Sequence, residues 1–94
     1  MKIPKRLKIG GHIVTVKIVE IPKEDCDGDF STYGNLIRID KRLPQSQREV
    51  TLIHEIFHAL NSVIDDKNPA AHSLIESISQ QFYQVLKDNK LLRD

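Results

Sequence analysis

The stretch Thr51-Leu52-Ile53-His54-Glu55-Ile56-Phe57-His58-Ala59-Leu60 constrains this chain most, because it sets His-Glu-x-x-His inside an apolar helical run. Residues four apart share one helix face, so His54 and His58 can offer two imidazole nitrogens to one metal ion. For zinc each bond would be about 2.0–2.1 Å. Glu55 adjoins the first histidine, where it can reach a metal-bound water and take its proton. Three fixed positions also arise by chance in helices that bind nothing. The neighbours argue for a metal. Ile53, Ile56, Phe57 and Leu60 predict a buried helix, in which two histidines and a carboxylate would be costly without a shared partner.

Ninety-four residues, 39% hydrophobic and 29% charged, predict a single small globular domain over 1–94. A metal that crosslinks two helices would add stability that so small a core needs. The net charge of +1 argues against nucleic acid as the main partner. Lys2, Lys5, Arg6 and Lys8 cluster at the amino terminus and read as a solvated strand edge. The single cysteine, Cys26, allows no internal disulfide and fits a reducing compartment. No apolar run approaches the length of a membrane helix, and Leu7-Lys8-Ile9-Gly10 is too polar for a signal-peptide core. The expected setting is cytoplasmic.

Along the chain, residues 6–21 read as a β-hairpin around Gly10-Gly11, with Val14, Val16 and Ile18 on the core face. His12 falls at its surface. Residues 22–30 read as a polar, acidic loop. Asp25, Asp27 and Asp29 alternate as in a calcium loop, but Phe30 and Leu36 stand where that loop needs Gly and Glu. Residues 31–40 read as a second hairpin turning at Gly34-Asn35, and one of the strands in 31–39 is the expected edge for a peptide backbone. Ser46-Gln47-Arg48-Glu49 reads as a capping box opening a helix over 46–64. Asp65 to Asn68 form a loop, and Asn68-Pro69 opens a second helix over 69–88. Leu74, Ile75, Ile78, Phe82 and Leu86 are its expected core residues. The predicted fold class is α+β, a small antiparallel sheet of two hairpins followed by two packed helices.

A catalytic zinc site takes three protein ligands and keeps one position for water. The metzincin continuation fails, since Asn61 and Ile64 occupy its glycine and third-histidine positions. The second helix offers His72 and Glu76, one turn apart. Glu76 follows His58 by eighteen residues, a distance that an antiparallel second helix can return to the site. It also fits a surface carboxylate on an amphipathic helix.

His54-Glu55-Ile56-Phe57-His58 followed by Glu76-Ser77-Ile78-Ser79 is similar to the gluzincin zinc peptidases. In length and layout the chain resembles the minigluzincins and phage-type zinc-peptidase-like proteins, which carry a stretch like Tyr83 to Asn89. The resemblance covers roughly residues 31–89. It implies a minimal zincin-like core, one Zn2+ per chain held by His54, His58 and Glu76, and Glu55 as the base. Gln80 departs from the motif, which has an aspartate there to orient a zinc-binding histidine. Its carbonyl oxygen can still orient a ring but brings no charge.

Two further residues keep alternatives open. His72 fits a solvent-facing position near the start of the second helix. It also fits a supporting or transition-state role, or ligation in place of Glu76 as in the SprT-like peptidases. Tyr83 could donate to an oxyanion, or be core with its hydroxyl satisfied. The expected activity is zinc-dependent hydrolysis of a protein or peptide substrate, possible also as a latent form blocked by the 91–94 tail or the 24–29 loop. The alternatives are a zinc-stabilised protein-binding module and a SprT-like peptidase acting at DNA.

Overall fold

Alternating β-branched runs broken by polar turns make strands, and the two runs of helical periodicity after Pro44 make helices. The computed structural model describes residues 2–9, 11–22, 26–63 and 70–88. It contains β1 (Arg6–Ile9), β2 (His12–Val19), β3 (Gly28–Ser31), β4 (Leu36–Asp40), α1 (Gln45–Val63) and α2 (Ala70–Asp88). The class is α+β, two hairpins followed by two packed helices, as expected.

In the first hairpin Ile9 pairs with His12, and Gly11 takes a φ of 82°, where glycine carries no steric penalty. His12 is exposed. The second hairpin differs in its bounds. β3 starts at Gly28, inside the stretch expected to be loop, because Gly28 and Phe30 pair with Ile39 and Ile37. Its turn spans residues 32–35, and Asn35, at a φ of 46°, takes the left-handed conformation in place of Gly34.

The hairpins join through a parallel β2–β4 pair, which gives a mixed sheet of order β1-β2-β4-β3. Burial explains the order. Ile37 and Ile39 of β4 are fully buried and take the middle, whereas β3 is short and polar and takes an edge. The edge strand beside α1 is therefore β3, three residues earlier than expected. Arg42 fastens the connections by donating to Asp40 and to the Ile21 carbonyl at 2.7 Å.

α1 covers the sheet, with Leu52 and Ala59 in one buried cluster with Ile9, Val14, Val16, Ile37 and Ile39. Ile18, expected on the same face, is 38% exposed beside an open groove. The helix starts one residue before the predicted cap. The Pro44 carbonyl accepts from the Arg48 amide at 3.0 Å, so Ser46 lies within the first turn and the capping box does not form.

Among the described residues α2 packs against α1 and not against the sheet. One stripe is thereby covered, with Ile75, Ser79 and Tyr83 buried. Leu74, Ile78 and Phe82, expected in the core, are 59%, 40% and 44% exposed. One neighbouring helix cannot cover an apolar face that wide. The Leu86 side chain, the linker with Asn68-Pro69, and the tail at 91–94 lie outside the described residues.

Candidate metal centre

The site starts from α1, whose helical period brings His54 and His58 onto one face. Their Nε2 atoms lie 3.0 Å apart, with the rings 4.7 Å apart and tilted by 57°. Two nitrogens bonded tetrahedrally to one zinc would sit about 3.3 Å apart. The pair is thus within a few tenths of an ångström of the spacing zinc requires, and imidazole nitrogen suits that metal. Both residues are half-buried.

Glu55 is 5% exposed, with its Oε2 4.0 Å from His54 Nε2. Burial, reinforced by the charge of Asp29, pushes its carboxyl up to about 7. A carboxyl poised there can accept and return a proton near neutrality.

Two clefts meet at this point. One, of ≈ 560 Å³, lies among the start of β3, α1 and α2, and its lining includes Cys26, His54, Glu55, Glu76 and Gln80. The other, of ≈ 340 Å³, is lined by His54, Glu55 and His58 opposite Gly28, Asp29 and Phe30 of the edge strand. Gly28, His54 and Glu55 border both clefts.

Glu76 and Gln80 are both exposed on the α2 side of the larger cleft. Among the described residues, no group of three or more His, Cys, Asp and Glu side chains assembles as a metal site. The histidine pair and Glu55 are brought together. Glu76 shares the larger cleft with His54 and Glu55, whereas His58 lines only the smaller one. The His72 side chain lies outside the described residues.

Tyr83 is 8% exposed, and its hydroxyl donates to Glu49 Oε1 at 2.7 Å. That bond pushes the Tyr83 hydroxyl up to about 12. Burial opposes ionisation of Glu49, but the hydrogen bonds it accepts, Tyr83's foremost, leave its carboxyl below the ordinary value.

Glu49 and Gly28 escaped the sequence reading. Glu49 matched a local capping pattern that concealed its partner thirty-four residues away. Gly28 stood in an acidic stretch, and its alternation with Phe30 was the available strand signal. A Cβ at Gly28 would come within 2.6 Å of both the Arg38 carbonyl oxygen and Thr51 Cγ2. Glycine therefore lets the edge strand approach α1 one turn before His54.

Among the described residues, no helix is long and apolar enough to cross a membrane. No curated protein and no solved structure gives a significant match to the chain. Residues 12–85 match the family Peptidase_M78, described as the IrrE N-terminal-like domain. The matched span runs from β2 to within a turn of the end of α2 and includes the histidine pair, Glu55 and Glu76. The chain belongs to this family, which is a zincin-like, metallopeptidase-type domain.

Proposed function

We propose that this protein is a zinc-dependent peptidase whose metal is held by His54 and His58, with Glu76 as third ligand. The observation that carries the reading is the convergence of the two Nε2 atoms at 3.0 Å beside the buried Glu55 carboxyl. When bound, zinc would polarise a peptide carbonyl and bring the pKa of a water towards about 7. Glu55 takes the proton from the attacking water and returns it to the leaving amine nitrogen as the C–N bond breaks. The substrate is a protein or peptide segment, and β3 offers its backbone to that segment along the sheet edge bordering the smaller cleft. The lone Cys26, with no cysteine to pair with, supports an intracellular setting.

A second reading, a zinc-stabilised binding module, draws on the Tyr83 hydroxyl. It is bound to Glu49, and the described part of α2 has no other tyrosine to offer an oxyanion. Glu55→Gln separates the two. Full zinc content with cleavage of a denatured-protein substrate abolished supports the peptidase. Cleavage at the wild-type rate would refute Glu55 as base, and absence of cleavage in the wild type would favour the binding module.

A further inference from the structure

On the opposite edge of the sheet from β3, a groove of ≈ 560 Å³ runs between the segment leading into β1 and the second half of β2. We propose that this groove docks an acidic, aliphatic-rich segment of a partner protein, independently of the candidate metal centre.

The groove's lining combines two chemically distinct kinds of side chain. Ile3, Pro4, Val16 and Ile18 supply apolar surface, and Ile18 is 38% exposed there. Lys5, Arg6 and Lys17 line the same groove and are all exposed, and among the described residues no acidic one lines it. The sequence sharpens the asymmetry. The first nineteen residues hold five of the chain's fourteen basic residues and none of its thirteen acidic ones. An occupant matching both parts carries aliphatic side chains flanked by carboxylates.

Lysines on an edge strand also serve to block edge-to-edge pairing. That role accounts for Lys8 on β1. It does not account for Lys17, which belongs to the interior strand β2, or for the apolar residues that line the same groove. Nucleic acid is a poorer match, because among the described residues no aromatic side chain lines the groove to stack a base. A membrane surface is poorer still, because the apolar residues line a groove. Among the described residues the groove shares no lining residue with either cleft at the histidine pair, so both can be filled at once.

The test titrates isotope-labelled protein with a short synthetic peptide of alternating Glu or Asp and Leu or Ile. A peptide with Lys replacing the acids, an oligothymidine and phosphatidylglycerol vesicles are run beside it. The expected result is saturable shifts confined to residues 3–6 and 15–18, weakened by salt. Arg6→Glu combined with Lys17→Glu should weaken binding about tenfold or more. Ile18→Asp, at an already exposed position, should do so without changing the fold. No saturable shift, shifts centred elsewhere, or equal binding of the lysine peptide would overturn the proposal. Tighter engagement of the same residues by oligothymidine or vesicles would overturn it in favour of those partners.

Discussion

Tyr83 on α2 donates its hydroxyl hydrogen to Glu49 on α1 at 2.7 Å, and both side chains are buried between the helices. The bond joins the helix carrying Glu76 to the helix carrying the histidines, and Gln45 adds a second donor to Glu49 at 3.2 Å. Tyr83→Phe removes the donor and leaves a buried carboxylate short of a partner. The expected loss is roughly 1–3 kcal/mol, read from urea unfolding. An unchanged midpoint would show that the bond contributes nothing.

Gly28→Ala places a Cβ against a backbone oxygen and a buried threonine methyl. The strand must shift away from α1, at a cost of roughly 1–3 kcal/mol. Adding Thr51→Ser should recover only part of this, because the Arg38 carbonyl remains. Full recovery in the double variant would place the whole clash on Thr51.

Hydrogen bonds from the Arg42 side chain, joined by its amide, hold the Asp40 carboxyl down at about 2. The folded value lies below the unfolded one near 3.8, so this stabilisation is present above about pH 4. It is lost as the pH falls towards 2. Asp40→Asn should therefore flatten the fall in melting temperature across that window, as followed by circular dichroism. An unchanged acid slope would contradict the assignment.

Metal binding to the folded chain alone should stabilise it by about 2.7 kcal/mol when free zinc is a hundredfold above its Kd. His54→Ala and His58→Ala should each abolish the gain. A zinc-dependent rise in melting temperature that survives both substitutions would move the metal away from α1.

The parts of this molecule written in local pattern were legible in the sequence. The four-residue spacing of His54 and His58 became two nitrogens 3.0 Å apart, and both hairpins and both helices lie near their expected places. What escaped depends on distant partners. The parallel β2–β4 join is decided by which strand can be buried most deeply against the helix, and the completely buried Ile37 and Ile39 on one face of β4 settle it. Ser46 and Glu49 carry the spacing of a capping box, yet Pro44 starts the helix earlier and Glu49 turns inward to Tyr83. The helical period of Leu74, Ile78 and Phe82 specified a helix correctly. It could not say that a single neighbour would leave that stripe exposed.

The central claim is one zinc held by His54, His58 and Glu76. Its most direct test is metal content by mass spectrometry on wild type, His58→Ala, Glu76→Ala and His72→Ala purified without added metal. The account predicts one zinc per chain in wild type and His72→Ala, and its loss in His58→Ala and Glu76→Ala. No zinc in the folded wild type, or zinc lost with His72→Ala and retained with Glu76→Ala, would contradict it.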